Sequence, residues 1–187
     1  MGRPKLMLPL GETTVIARVL QALAASGVAA TYVLVRADDQ ALIDEVQKHS
    51  GRAVITPEAT RDMRQSVQKL LDAIVDESFP QETDGWLLCP ADHPLLDSEI
   101  VSALLREFAA NPTGIVVPSR HGRRGHPTVF SWPLAREVER IPADQGVNWL
   151  LRQFSGHVRQ VDVDSTDIFV DLDTPDDYER LKKRCGS

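Results

Sequence analysis

Trp86-Leu87-Leu88-Cys89-Pro90-Ala91-Asp92-His93-Pro94 is the stretch on which the fold turns. Its apolar start reads as a buried strand. The run then meets an aspartate, breaks at Pro94, and gives way at Asp97 to an amphipathic segment. In an open α/β sheet the carboxyl ends of the strands line the ligand crevice. A carboxylate delivered there by a rigid strand is well placed to hold a metal ion against phosphate. An Asp this close to a Pro also suits a plain turn cap, and the rest of the chain has to separate the two roles.

Strand and helix signals alternate on both sides of this stretch. Upstream, Thr13 or Thr14 caps a helix with Val15, Ile16, Val19, Leu20 and Leu23 inward, stopped at Gly27. Thr31 to Val35 reads as a strand, Asp38 or Asp39 opens a helix that ends near Gly51, and Ala53 to Thr56 is a short strand. Met63 to Val75 is the next helix. Downstream, a helix runs from Asp97 to about Ala110, and Gly114 to Pro118 and Thr128 to Phe130 read as strands. Leu134 to Ile141 and Gln145 to Phe154 read as helices. Val158 to Val163 has the alternation of a half-exposed strand, Ile168 to Leu172 reads as a last strand, and Pro175 opens a helix through Lys183. The alternation predicts an α/β fold, a mostly parallel sheet flanked by helices on both faces, in one domain over residues 1–187.

Composition narrows the function. The chain has 187 residues, 42% hydrophobic and 26% charged, with a formal net charge of −6. That balance is ordinary for a globular protein and argues against a nucleic-acid scaffold, while leaving room for a nucleotide held by a local cluster of donors. Two distant cysteines, Cys89 and Cys185, build neither a disulfide framework nor a Cys-rich zinc site. No apolar stretch has the length of a membrane span and the first residues do not have the pattern of a signal peptide, so the cytoplasm is the expected compartment.

Three further segments carry chemistry. In Asp171-Leu172-Asp173-Thr174-Pro175, a strand would put both aspartates on one face with Leu172 turned to the core. Magnesium takes one or two carboxylates plus water and phosphate oxygens, so Asp92 with Asp171 or Asp173 suits it. Asp173 or Thr174 also suits the cap of the last helix. Gly122-Arg123-Arg124-Gly125-His126-Pro127 combines glycines that permit close approach to a ligand with forked donors for phosphate or carboxylate; a solvated basic hairpin fits the same residues. Arg61 to Ser66 opens a helix, where free N–H groups and the dipole attract anions, and Arg64 and Ser66 are placed to assist. Asp144 reads as a helix N-cap, and Lys5 follows Pro4 near the start.

Met1-Gly2-Arg3-Pro4-Lys5-Leu6, Arg61–Ser66, Ala91-Asp92-His93-Pro94-Leu95, Gly122–Phe130, Asp144-Gln145-Gly146 and Asp171–Tyr178 together resemble the MobA-like NTP transferases, and within them the molybdenum cofactor cytidylyltransferase group. They stand in family order and cover nearly the whole chain. The resemblance implies a Rossmann-like nucleotidyltransferase domain that joins a nucleoside monophosphate from an NTP, CTP by preference, to a phosphorylated small-molecule acceptor such as a molybdopterin, releasing pyrophosphate with Mg2+. It places Gly2, Arg3, Lys5, Arg64 and Ser66 at the nucleotide, Lys5 and Asp92 in catalysis, Asp92 with Asp171 or Asp173 at the metal, and Arg124, His126 and Asp144 at the acceptor. A methylerythritol phosphate or sugar phosphate acceptor, or a nucleotide-binding module without catalysis, are the competing readings. Two departures stand out. Family members begin with an apolar strand and a Leu-Ala-Ala-Gly-x-Ser-x-Arg phosphate loop ahead of Met-Gly-x-Pro-Lys, whereas Met1 falls at that internal methionine. The resemblance therefore implies either a truncated start, the favoured reading, or a degenerate relative, and in both cases weak or no NTP turnover. Asp62 stands where the family has glycine, setting a negative charge beside a triphosphate.

Overall fold

The computed structural model describes residues 4–186. A hairpin of β1 (Pro9–Leu10) and β2 (Thr13–Thr14) leads into α1 (Val15–Ala25). There follow β3 (Tyr32–Arg36), α2 (Gln40–Lys48), β4 (Arg52–Thr56), α3 (Met63–Ser78), β5 (Gly85–Leu88) and α4 (Ser98–Ala110). The second half holds β6 (Ile115–Arg120), β7 (Arg123–Arg124), β8 (Thr128–Ser131), α5 (Asn148–Gln153), β9 (Val158–Asp162) and α6 (Pro175–Cys185).

Side-chain caps explain where most helices start. Thr14 accepts from Ala17 N–H, Asp39 from Leu42, Asp62 from Gln65 and Asp97 from Glu99, each satisfying one of the free donors of a first turn. At α6, Thr174 and Asp177 form a reciprocal capping box. The side-chain and backbone donors of Thr174 hold the Asp177 carboxyl at about 2, below its ordinary 3.8; slight burial opposes this and Arg180 adds to it. A carboxyl depressed in the folded state stabilises it above the unfolded value, and that contribution is lost as pH falls through about 2. Asp177→Asn is therefore expected to lower the melting temperature most above pH 4, by less as pH falls toward 2, and to make no difference once pH is well below 2, read as paired thermal melts across that range.

Helices cover both faces of the sheet. Along β5, Trp86 and Leu88 pack toward α3 and Leu87 toward α4; along β6, Ile115 and Val117 face one side and Val116 the other. Phe130 of β8 pairs with Trp86 of β5, the rings stacked at 4.3 Å. α1, α2 and α4 lie on one face, with Ile16, Leu20, Leu42 and Val46 against Val35, and Val19 and Leu23 against Val101. α3, α5 and a 3-10 stretch at Trp132–Val138 lie on the other.

The strands form two larger groups. β3 and β4 are a parallel pair, and β8 lies antiparallel between β5 and β6, with β9 parallel on the far edge of β6. The expected parallel pairing thus holds for β3–β4 and β6–β9. β8 is reversed because it follows β6 through a hairpin, not through a helical crossover.

Four other expectations need correction. Ile168–Leu172 is not a strand: a 3-10 turn at Asp167–Phe169 is followed by irregular chain, held by single bonds from His126 N–H to Ile168 C=O and from Leu172 N–H to Asp92 C=O. The helix expected at Leu134–Ile141 is instead the 3-10 stretch Trp132–Val138, with Pro133 in its first turn, followed by a turn. The helix expected from Gln145 begins at Asn148. Asp144 is not its cap: it sits exposed on a turn closed by Gln145 N–H on Pro142 C=O.

Candidate active site

β5 ends at Leu88, and the chain beyond it carries Asp92 past the carboxyl end of the sheet. The bond from Leu172 N–H to Asp92 C=O, 3.0 Å, ties this loop to the second acidic segment. Leu172 is fully buried among Leu8, Leu10, Val15 and Leu181, so Asp171 and Asp173 on either side of it are left exposed. Both aspartates are thus exposed beside a buried Leu172, without a strand.

Lys5 joins the two acidic segments. It sits on a 3-10 turn at Lys5–Met7, and its Nζ lies 2.6 Å from Asp92 Oδ2 and 3.1 Å from Asp173 Oδ1. Partial burial works against the ammonium, but the hydrogen bonds to Asp92 and Asp173 outweigh it and hold its pKa above the ordinary value. Residues 87 and 168 positions away from Lys5 in sequence thereby converge on one cationic centre.

Two histidines stand behind the carboxylates. His93 is buried and its ring meets that of His126 edge-on, with centroids 5.2 Å apart. Burial is the main cause lowering both pKa values below 6.5; Asp92 and Asp171 pull each of them back toward the charged form, and His93 further lowers His126. Both rings are therefore neutral at neutral pH. Among the described residues the buried Nδ1 of His126 has no hydrogen-bond partner. His93 was not among the residues singled out from the sequence, although its place beside Asp92 in the strand-end stretch was the available signal.

The Gly122–Pro127 segment is a hairpin. His121 and Gly122 take left-handed backbone angles between Arg120 and Arg123, which pair across the turn. Gly125 makes a close approach, but to the chain's own backbone: a Cβ there would lie 2.6 Å from the Ile168 carbonyl oxygen and 2.7 Å from its Cβ. Gly125→Ala is expected to cost about 1–3 kcal/mol as an overpacked contact and to displace His126, whose N–H bonds Ile168 C=O; chemical denaturation and the His126 imidazole NMR signals report the two effects. Arg123 lies over the Phe169 ring at 4.2 Å, whereas the exposed side chain of Arg124, a residue paired with Ser119 in the β6–β7 ladder, makes no hydrogen bond or ion pair among the described residues.

The predicted nucleotide residues are spread more widely. Ser66 lines a cavity of about 380 Å3 that also meets Arg36, Thr60 and Ala91 at the carboxyl ends of β3 and β5. Its hydroxyl pairs with Thr60 at 2.6 Å. Arg64 reaches the other way, donating to Ile141 C=O at 2.9 Å. Asp62 is committed to capping α3, which accounts for a carboxylate where a triphosphate-binding helix would have glycine. Gly2 and Arg3 lie outside the described residues. A larger cavity of about 510 Å3 is apolar and lies between β3 and β5, away from the carboxylates.

Among the described residues no group of three or more His, Cys, Asp or Glu is arranged to hold a metal ion. Asp92 and Asp173, oxygen donors already sharing one cation, fit instead a hard ion that takes one or two carboxylates and completes its shell with water and phosphate. Burial, reinforced by Asp92, pushes the Cys89 thiol up to about 12, which keeps it protonated at neutral pH.

Known proteins are similar to this chain in sequence or fold. The molybdenum cofactor cytidylyltransferase of Escherichia coli K12 is 24% identical over 142 residues, 74% of this chain and 68% of the relative. The structure of Rv0371c from Mycobacterium tuberculosis H37Rv, a complex with manganese, is 27% identical, with a TM-score of 0.79 over 97% of this chain and 93% of the other. A CMP:2-keto-3-deoxy-manno-octonic acid synthetase complexed with CTP shares the fold at 16% identity, with a TM-score of 0.75 over 97% and 91% of the chains. Residues 1–161 match the family model of the MobA-like NTP transferase domain, and the chain belongs to that family.

Proposed function

We propose that this chain is a magnesium-dependent nucleotidyltransferase that moves CMP from CTP onto a phosphorylated acceptor of molybdopterin type and releases pyrophosphate. The observation that carries this reading is the convergence of Asp92, Asp173 and Lys5 at the carboxyl end of β5. An acceptor phosphate oxygen attacks the α-phosphorus in line, a new P–O bond forms, and the bond to the bridging oxygen of pyrophosphate breaks. Such a step depends on positioning and charge neutralisation. A phosphate monoester is already largely ionised at neutral pH, so the neutral His93 and His126 need not act as strong bases.

Asp92 and Asp173 would hold the metal, which when bound supplies Lewis-acid stabilisation of charge on the phosphoryl oxygens. Lys5 then releases the carboxylates and turns to the phosphates. Gly2, Arg3, Arg64 and Ser66 are assigned to the nucleotide, and Asp171 to the outer side of the metal site. Arg124, whose side chain has no partner among the described residues, is assigned with His126 and Asp144 to the acceptor. The CTP named with one structural relative and the cytidylyl activity of another support the choice of nucleotide; the manganese of a third supports a divalent ion.

Pyrophosphate release measured over the four NTPs, with and without Mg2+ and phosphorylated pterin, tests the reading. Release that is restricted to CTP and needs both metal and acceptor is expected. Metal-independent release, or none with any pairing even after an apolar strand and phosphate loop are added ahead of Met1, would overturn it. The Lys5 geometry gives a second test with effects of opposite sign. Lys5→Met removes the cation that competes for Asp92 and Asp173, so Mn2+ binding without nucleotide is expected to tighten by roughly tenfold while CTP binding weakens by a similar factor, about 1.4 kcal/mol each. Titration calorimetry reads both.

A further inference from the structure

A small cavity of about 10 Å3 lies behind the carboxylates, apart from the two larger ones. His93 and His126 border it, Leu95 and Ile100 give it apolar surface, and Asp97 and Asp167 complete its wall. It has the size of a site for one water, which needs two to four polar partners to stay there. One of those partners is waiting. Of the two ring nitrogens of His126, Nδ1 is the one enclosed without a hydrogen bond among the described residues. A buried polar nitrogen is costly to leave unpaired, and an ordered water is a common way to satisfy it.

Asp167 supplies the other partner. The His126 N–H bonds the C=O of Ile168 at 2.9 Å, so the backbone brings residue 167 alongside the imidazole. Arg184 Nη2 of α6 reaches both carboxylate oxygens of Asp167, at 2.8 and 3.0 Å. An ionised carboxylate has about four lone-pair sites, so Arg184 fixes the group and leaves room for a further donor. Asp97 suits the role less well. It is exposed, and its Oδ1 already accepts from Glu99 N–H at 2.8 Å as the cap of α4.

Proton inventory sets the direction of such a bridge. An ionised carboxylate only accepts, so the water donates to Asp167 and offers a lone pair to the ring. Nδ1 must then carry the single proton of the neutral imidazole, and Nε2 is left bare. We propose that Asp167 is a positioning residue for His126, acting through one ordered water that accepts from Nδ1–H and donates to the Asp167 carboxylate, which Arg184 holds in place. The bridge fixes the tautomer and leaves Nε2 as a hydrogen-bond acceptor. His126 therefore recognises an N–H or O–H of the phosphorylated acceptor, not one of its phosphate oxygens. That last step rests on the nucleotidyl-transfer reading of the site; the bridge does not.

Nitrogen NMR of the His126 ring in the unliganded chain, at about pH 8, reads the tautomer directly. Nδ1 is expected at the shift of a protonated nitrogen and Nε2 at that of a bare one, with a long-lived water giving an Overhauser contact to the ring. Asp167→Ala is expected to move the proton to Nε2, the form a free neutral side chain favours. Asp97→Asn, which still caps α4, is expected to leave it on Nδ1. A proton on Nε2 in the parent chain, or no long-lived water at the ring, overturns the bridge without any variant. So does a folded Asp167→Ala chain that keeps Nδ1–H, and a shift in Asp97→Asn alone overturns the choice of Asp167. Phosphorylated pterin, with its binding followed by calorimetry, is expected to move the Nε2 signal toward that of a hydrogen-bonded acceptor, and inorganic phosphate is not. Pterin binding without that movement overturns the role of Nε2. Failure of pterin to bind overturns the molybdopterin reading instead, while the tautomer still decides the bridge.

Discussion

Asp92→Ala is expected to lower metal-dependent pyrophosphate release by at least 100-fold while leaving the melting temperature nearly unchanged. The two parts of that expectation come from different physics. Asp92 is the better-seated carboxylate of the pair: it is carried by the chain leaving β5, its backbone C=O is held by Leu172 N–H, and its side chain is 21% exposed against 64% for Asp173. Losing a fixed ligand for the ion that stabilises charge in the transition state removes about 3 kcal/mol or more, a factor of 10². Stability changes little because Lys5 is 38% exposed and keeps its contact with Asp173, and ion pairs this open to solvent contribute about 0–1 kcal/mol. Asp173→Ala is expected to cost only about tenfold in rate, since water replaces an exposed ligand more readily. Steady-state pyrophosphate assays on both variants, with thermal melts alongside, give the comparison. Equal losses at the two positions would show that Asp92 has no privileged role.

The legible parts of this fold are those set by local rules. Thr14, Asp39, Asp62 and Asp97 cap their helices because a short acceptor before an amphipathic run satisfies free N–H groups wherever it occurs. The Trp86 run is a strand because its alternate side chains are buried on two faces. Errors arose where long-range contacts decide. Ile168–Leu172 has strand composition, yet it reaches only single bonds to Asp92 and His126, and a strand needs a ladder. Asp144 has cap chemistry, but the chain around Pro142 turns first and the helix begins four residues later.

The site divides in the same way. Each carboxylate could be picked out from its segment, and the family resemblance joined them. That Lys5 bridges Asp92 to Asp173, and that His93 stacks edge-on to His126, depends on tertiary placement that no spacing encodes. Asp62 shows the converse. It looked like a repulsive charge at the nucleotide, and the structure spends it on the first turn of α3.

The largest expected effect on stability falls on Trp86, and it reaches the site through the strand that delivers Asp92. Trp86 is 5% exposed, stacks on Phe130 across the β5–β8 pair and packs with Val67 and Leu71 of α3. Trp86→Ala deletes a large buried side chain next to the 510 Å3 cavity, which Trp86 already lines, so collapse of the neighbours does not refill the space. The expected cost is about 3–5 kcal/mol. Trp86→Phe should be much milder. It keeps a ring against Phe130, and it removes an indole N–H that is buried without a partner; replacing an unsatisfied donor offsets part of the lost volume, leaving about 1 kcal/mol. Urea denaturation separates the two variants by midpoint. If β5 positions Asp92, Trp86→Phe keeps the Mn2+ affinity of the parent chain, whereas Trp86→Ala weakens it even at temperatures where the protein remains folded. A Trp86→Phe variant as unstable as Trp86→Ala would mean that the indole, and not the packed ring, holds the strand in place.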